Sequence, residues 1–378
     1  MGFFDFTWYF IVVFLFVLTV LVYVHEWGHY WVAKRNGVRI EVFSIGFGPE
    51  LFGWTNAVGT RWKISAIPLG GYVKMFGENM DDDETGQPVS LTPEEKAVSF
   101  NHKTLRQRAA IVFAGPAVNF IFAIFIFAGL AMFQGLPISL AVIGEVLPNS
   151  AASQAGMMKN DKIIAVDNKE IINFSELRST ILRAPGQKLN FQIERGDKIL
   201  MLSATPRLAE GRNDEGIITK IGLLGIRPDM EQLIFERQNP AMAVWVGIDR
   251  TYTLTKNILV YVGDMITGNR TAEDLGGPIR IAQISGEMAQ KGFVYVILLM
   301  AMLSVNLGLI NLFPIPMLDG GHLAFYAVEA IRGKPLDPKI QEYGLRFGLV
   351  LVLSLVVFVT WNDLVHIRVI EFIKNLFV

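Results

Sequence analysis

Four long apolar stretches constrain the fold more than any other feature of this sequence. The hydrocarbon core of a bilayer is about 30 Å thick, so an α-helix needs about 20 mainly apolar residues to cross it. Stretches of this kind lie at about residues 8–32, 109–133, 293–313 and 347–361. Since 52% of the 378 residues are hydrophobic, we expect a polytopic α-helical membrane protein with four transmembrane helices in a lipid bilayer.

The distribution of lysine and arginine predicts how these helices are oriented. Residues 1–7 contain neither, whereas the connections after the first and third helices are basic. Basic connections face the cytoplasm. Both termini and the long segment 134–240 are then expected outside, in the periplasm of a bacterium, with the protein in the inner membrane. The first stretch has no cleavage site and is expected to remain as an anchor.

Charge and cysteine content exclude several other classes of protein. The formal net charge is −1, which gives no reason to expect a nucleic-acid partner. The chain has no cysteine, so a disulfide framework and a cysteine-ligated metal are both excluded.

The first apolar stretch ends in the motif His25-Glu26-Trp27-Gly28-His29. Residues four apart lie on one face of a helix, so the two imidazoles could bind one Zn²⁺, with Glu26 beside it as general base. Ionisable groups in a spanning helix cost roughly 2.5–3.5 kcal/mol each and rarely persist without a task. The alternative is that they are solvated and mark where the helix leaves the bilayer.

A catalytic zinc site needs a third protein ligand, and the end of the third stretch offers candidates. There the sequence runs Asn311-Leu-Phe-Pro314-Ile-Pro-Met-Leu-Asp319-Gly-Gly-His322. The prolines must break the helix, which membrane proteins tolerate where the backbone lines a cavity. Asp319 approaches the same side of the membrane as the first motif. It could instead be a turn or helix-end residue, and His322 could compete with it as a ligand.

Residues 39–75 alternate between apolar and polar side chains on either side of a turn at Gly46–Pro49. The alternation predicts a small membrane-associated β-sheet. Its edge could bind extended substrate backbone, or the sheet could simply plug the membrane core. The acidic run at residues 80–84 is expected to be a solvated loop. Asn119, in the second stretch, could bond a neighbouring helix or line a catalytic cavity.

The chain between the second and third stretches changes character. Residues 137–208 are polar, with short β-like runs around one helical pattern, which indicates a small α+β domain. Residues 209–240 are charged and indicate a linker, and the following region suits an amphipathic helix in the membrane interface. The predicted divisions are an N-terminal half of the membrane core (1–134), the α+β domain (135–208), the linker (209–240), an interfacial helix region (241–292) and a C-terminal half of the membrane core (293–378).

Within the α+β domain the run Pro148–Ala152, then Ala155–Met157, then Asn160–Ile164 resembles a circularly permuted bacterial PDZ domain. That resemblance implies binding of extended peptides by strand addition. The fold class is therefore expected to be α+β, a four-helix membrane core with a small β-sheet and one inserted PDZ domain.

Taken in order, HEWGH, GPxxN, the PDZ-like insert and NLFPIPMLDGGH are similar to the site-2 protease family of intramembrane zinc metalloproteases, of the bacterial regulator-of-sigma-E type. The resemblance spans nearly the whole chain. It implies one zinc ion on His25, His29 and Asp319, with Glu26 as the catalytic base. It further implies substrate contact by Asn119, Asn311, Pro314, Gly46 and Gly48.

The family also implies the substrates: single-pass membrane proteins already cleaved on the periplasmic side, such as anti-sigma factors, and remnant signal peptides. We expect a monomer. One departure is that well-known members carry two tandem PDZ domains, and this chain has room for one. Two alternatives are a membrane zinc or ion transporter, which would more often show paired repeats, and a membrane-tethered PDZ scaffold, which would need no histidines or aspartate in its helices.

Overall fold

The computed structural model describes residues 3–78, 91–212, 218–229, 233–269 and 276–366. The chain forms two compact units, one from residues 1–128 with 244–378 and the other from residues 129–243. The acidic run predicted as a loop at residues 80–84 lies outside the described residues.

The helices, in chain order, are α1 (Phe3–Arg35), α2 (Pro93–Val98), α3 (Leu105–Phe133), α4 (Ala151–Gln154), α5 (Phe174–Leu182), α6 (Pro240–Ile266), α7 (Pro278–Lys291), α8 (Phe293–Leu312), α9 (Asp319–Arg332) and α10 (Pro338–His366). The strands are β1 (Ile40–Thr55), β2 (Arg61–Met75), β3 (Leu136–Ser139), β4 (Ile143–Val146), β5 (Lys162–Val166), β6 (Lys169–Glu170), β7 (Leu189–Arg195), β8 (Lys198–Ala204), β9 (Arg207–Arg212), β10 (Ile218–Leu223), β11 (Ile226–Pro228) and β12 (Leu233–Glu236).

Each of the four predicted apolar stretches is a helix in the first unit or begins there. Within the described residues, the helices long and apolar enough to cross a membrane cover Trp8–Arg35, Leu105–Phe133, Phe293–Asn311 and Pro338–Val365. α1 and α8 share a buried cluster around Val17 and Met300, and α3 and α8 share another around Phe127 and Val305. α8 therefore packs against both α1 and α3, which carry the HEWGH and GPxxN motifs.

The sheet predicted at residues 39–75 is present as a hairpin of two long, bent strands. Residues 42–45 of β1 have partners on both sides, because Phe43 pairs with Val73 and also with Trp62. The outer half of β1 returns along the start of β2, where Thr55 pairs with Arg61. The bend follows Gly46 and Gly48, whose φ angles of 89° and 84° are left-handed and suit glycine. The residues at the end of β2 lie beside α1.

The second unit has a four-stranded sheet in the order β6-β5-β7-β8. Its core includes the fully buried Ile143, Ile163, Leu177 and Phe191. This unit is larger than the domain predicted at 135–208.

The prediction of a linker at residues 209–240 is wrong for the described residues of that segment. β9 pairs with β10, β11 pairs with β4, and β12 pairs with β3. Leu224 is 2% exposed and belongs to the same core as Ile143. The error has a physical cause: the charged residues occupy short, largely exposed strands, so their composition resembles that of a linker although the backbone is paired.

The region 241–292, predicted as an interfacial helix, contains two helices. α6 exposes several large apolar side chains, among them Trp245, Tyr252 and Ile266. α7 packs against α1, where its Gly286 lies on the Phe10 ring. The carboxylate of Asp363 in α10 accepts hydrogen bonds of 2.8–3.0 Å from main-chain N–H groups in the first turn of α7. The interfacial position of α6 stays a prediction.

Candidate metal centre

Three side chains from two distant regions of the chain meet in the first unit. His25 Nε2 lies 3.2 Å from His29 Nε2 and 3.2 Å from Asp319 Oδ2. His29 Nε2 lies 3.5 Å from the same Oδ2 atom. Both imidazoles are buried. Among the described residues, His25, His29 and Asp319 form the group of ligating side chains close enough to hold one metal ion, and His322 is not a member of it.

The three donor atoms fit a zinc ion. Zinc in proteins is bound tetrahedrally by His nitrogen and carboxylate oxygen at about 2.0–2.2 Å, and a tetrahedron of that size has edges of about 3.4 Å. The observed separations of 3.2, 3.2 and 3.5 Å match those edges. The Asp319 Oδ2 atom is buried and makes no hydrogen bond, so a metal would satisfy it. Three protein ligands leave a fourth position for water or substrate.

Asp319 reaches the histidines because the chain breaks after α8. Pro314 and Pro316 lie in the connection, and Asp319 is the first residue of α9. A side chain at Gly320 would clash with the main chain of Leu312 and Phe313, so glycine is needed for the close approach of α9 to the end of α8. Burial works to raise the pKa of the Asp319 carboxyl, but the two imidazoles outweigh it and hold that pKa below its usual range.

α3 lies directly behind the histidines. The ring nitrogen Nδ1 of His29 is 2.9 Å from the main-chain oxygen of Ile111. A carbonyl can only accept, so Nδ1–H donates and Nε2 keeps its lone pair for a metal. On His25, Nδ1 is 3.1 Å from the side-chain amide Nδ2 of Asn119. Both imidazoles are thus held from the side opposite Asp319.

Two glycines permit this contact, and the sequence reasoning did not single them out. A Cβ atom at Gly28 would lie 2.5 Å from the main-chain oxygen of Ala114. A Cβ atom at Gly115 would lie 2.6 Å from His29 Cε1 and 2.8 Å from His25 Cε1. The available signal was Gly28 at the second x position of the HExxH pattern together with Gly115, the glycine of GPxxN.

The other predicted site residues lie on several different elements. Glu26 follows His25 on α1 and lies beside the end of β2, since a Cβ atom at Gly71 would be 3.3 Å from Glu26 Cγ. Asn311 is in the last turn of α8, and Pro314 follows in the connection to Asp319. Substrate contact by Asn311, Pro314, Gly46 and Gly48 stays a prediction. Asn119 is enclosed, and its side-chain amide bonds His25 of the neighbouring helix α1, as one of its two local interpretations predicted. Substrate contact by Asn119 stays a prediction.

The half-buried His322 imidazole lies one helical turn beyond Asp319. Burial lowers its pKa below the ordinary value of 6.5, so it is neutral at pH 7. Its ring contacts Phe325 edge-on, with centroids 6.4 Å apart.

Comparison with known proteins finds relatives that are named metalloproteases. Residues 13–355 match the family described as Peptidase family M50. A protein of Agrobacterium fabrum named "Putative zinc metalloprotease" is 44% identical over 94% of this chain and 95% of its own length. Metalloprotease MmpA of Caulobacter vibrioides is 37% identical over 96% of this chain and 97% of its own. Regulator of sigma-E protease RseP of Salmonella typhimurium is 33% identical over 93% and 97%.

Among solved structures, the PDZ domain of the SdrC-like protein from Listeria innocua is 17% identical, with a TM-score of 0.19, and covers 24% of this chain and 92% of that domain. The family match extends over most of the chain and includes HEWGH, GPxxN and the Asp319 segment. Four apolar helices and a relative of the regulator-of-sigma-E type indicate a membrane protein. The chain belongs to peptidase family M50, the site-2 protease family of zinc metalloproteases.

Proposed function

We propose that this protein is an intramembrane endopeptidase that binds one zinc ion per chain and cleaves peptide bonds within the transmembrane segments of single-pass membrane proteins. The observation that carries the proposal is the triangle of His25 Nε2, His29 Nε2 and Asp319 Oδ2, formed between the apolar helix α1 and the start of α9, which follows the apolar helix α8. The substrates are proteins already trimmed on the periplasmic side, such as anti-sigma factors, and remnant signal peptides. The reaction belongs to regulated intramembrane proteolysis.

The protein's own groups have separate tasks in hydrolysis. His25, His29 and Asp319 would hold the zinc ion, which when bound acts as a Lewis acid and lowers the pKa of its water to about 7. Glu26 takes the proton from the attacking water and later passes it to the leaving amine. Glu26 is suited to this because it follows His25 on α1 and its Cγ atom lies beside Gly71 of β2.

The β-hairpin offers a way to present the substrate. A transmembrane helix hides its carbonyls in hydrogen bonds to the residue four positions on, so it must unwind before hydrolysis. Residues 71–75 pair with β1 on one side, and the end of this segment lies beside Glu26. An unwound substrate that added a strand here would recover main-chain hydrogen bonds and lie extended next to the general base.

In this proposal the protein lies in the bacterial inner membrane, with the metal centre near the cytoplasmic side. Support comes from Lys34 and Arg35 in the last turn of α1, because basic helix ends face the cytoplasm. The single PDZ-like unit is then periplasmic, where it selects among trimmed substrates.

The test uses the full chain, purified in detergent with zinc, and a single-pass substrate. Removing a general base slows hydrolysis by about 10²- to 10⁴-fold, so Glu26→Gln should abolish detectable cleavage while zinc stays bound. Glu342→Gln, an exposed glutamate paired with Arg346 on α10, is the matched control and should cleave normally. Cleavage by Glu26→Gln at the wild-type rate would refute the proposal.

Zinc uptake into vesicles without any cleavage would favour a transporter, and normal function of His25→Ala would favour a scaffold.

A further inference from the structure

Asn119 makes an unusual set of contacts for a residue in an apolar helix. It is 0% exposed. Its main-chain oxygen accepts a 2.8 Å hydrogen bond from Ser304 Oγ of α8. Its side-chain Nδ2 lies 3.1 Å from His25 Nδ1, whereas its Oδ1 is buried and has no hydrogen-bond partner. A fully enclosed amide with one unsatisfied oxygen calls for a physical reason.

The two metal-facing histidines set the same requirement on α3, and different groups face them there. Both present Nε2 toward Asp319. A neutral imidazole that gives Nε2 to a metal carries its proton on Nδ1, so the atom facing Nδ1 must be an acceptor. For His29 that acceptor is the main-chain oxygen of Ile111, which no substitution removes. For His25 the facing group is the Asn119 amide.

The Asn119 side chain can satisfy this requirement without any change in packing. A half-turn about its Cβ–Cγ bond exchanges Nδ2 and Oδ1, which have nearly the same size. The exchange places Oδ1 opposite His25 Nδ1 and moves Nδ2 to the position that Oδ1 occupied, so the imidazole gains an acceptor. The imidazole then has the tautomer in which Nε2 is free to bind zinc.

We infer that Asn119 is a positioning residue of the metal centre: it accepts the Nδ1–H of His25 through Oδ1 and so fixes the ring for zinc. It is not a substrate-contacting residue. The enclosure of Asn119 supports this role, because α8 covers its side chain. A Cβ atom added at Gly308 of α8 would lie only 3.2 Å from Asn119 Cβ. The inference rests on the proposed function only in so far as the bound metal is zinc.

The experiment measures zinc affinity directly, by competition with a chelator, on the purified full chain. Asn119→Leu keeps the volume but removes the acceptor. Asn119→Asp keeps an acceptor and removes the donor. Ser304→Ala is the matched control, because it loses a hydrogen bond to the main chain of the same residue without touching His25.

Loss of an outer partner of a metal-bound histidine weakens metal binding by about 10- to 100-fold. We expect that loss for Asn119→Leu, wild-type or tighter zinc binding for Asn119→Asp, and unchanged zinc affinity for Ser304→Ala. Where cleavage is measured, kcat at limiting zinc should fall in Asn119→Leu while KM stays constant.

Two results would overturn the inference. If Asn119→Asp bound zinc about 10-fold or more weakly than the wild type, the acceptor role would be wrong, and this comparison with the wild type decides even if the leucine variant fails to fold. If Asn119→Leu kept wild-type zinc affinity but raised KM, Asn119 would be a substrate contact. Zinc affinity is read without substrate, so a failure of the proposed proteolysis would leave this test intact.

Discussion

A single methyl group added at Gly115 should disable the metal centre without unfolding the protein. In Gly115→Ala the new Cβ would lie 2.6 Å from His29 Cε1 and 2.8 Å from His25 Cε1. Carbon atoms in contact sit about 3.5–4.0 Å apart, so the rings must move by about 1 Å. His29 can move only by straining its 2.9 Å hydrogen bond to Ile111. A displacement of about 1 Å in a catalytic group can cost about 10²-fold in rate.

The effect on stability should be small, because two contributions oppose each other. Alanine is favoured over glycine inside a helix by about 0.5–1 kcal/mol, and a weakened hydrogen bond costs about 0.5–1.5 kcal/mol. We therefore expect a nearly unchanged midpoint of thermal unfolding for the zinc-free protein, weaker zinc binding, and cleavage reduced about 10²-fold.

Gly129→Ala is the matched control for this change, since it lies in the same helix and a Cβ atom there meets nothing within 4 Å. It should cleave at the wild-type rate. The assays are chelator competition for zinc and cleavage of a single-pass substrate. Wild-type zinc affinity and cleavage in Gly115→Ala would refute the packing argument.

Two further changes test contacts around the centre. Glu329→Gln should lower the free energy of unfolding by about 3 kcal/mol. The reason is that Glu329 of α9 pairs at 2.7 Å with Arg108 of α3, and the two side chains are only 13% and 17% exposed. A loss below about 0.5 kcal/mol, as expected for the exposed control Glu342→Gln, would contradict this prediction. His322→Gln should reduce the loss of stability that occurs as the pH falls below about 6.5. Burial lowers the pKa of His322 in the folded protein, so the unfolded chain binds a proton more readily and acid favours unfolding. An unchanged pH profile of the free energy of unfolding would argue against this.

Some features of the site followed from local sequence and others did not. The spacing of His25 and His29 fixes them on one helical face, and the prolines before Asp319 predicted a break there; both are present. The local sequence left Asp319 and His322 as competing candidates for the third metal ligand. The structure brings Asp319 to the histidines, because α9 begins at Asp319 while His322 lies a turn further along.

Long-range contacts decided the outcome for Asn119 and for residues 209–240. Asn119 had two local interpretations, and only the packing of α3 behind α1 shows that it bonds His25. The charged segment resembled a linker because strand pairing with β3 and β4 involves residues far away in the chain, which composition does not record.

By itself the sequence determined the apolar helices, the face that carries His25 and His29, and the sheet at residues 39–75, because each depends on the period of a helix or a strand. Only the tertiary structure decided which carboxylate completes the zinc site and which groups hold the imidazoles. Those contacts depend on how closely α1, α3 and α9 approach one another. That approach is set by the space left at Gly28, Gly115 and Gly320, and no local pattern shows which helix fills that space.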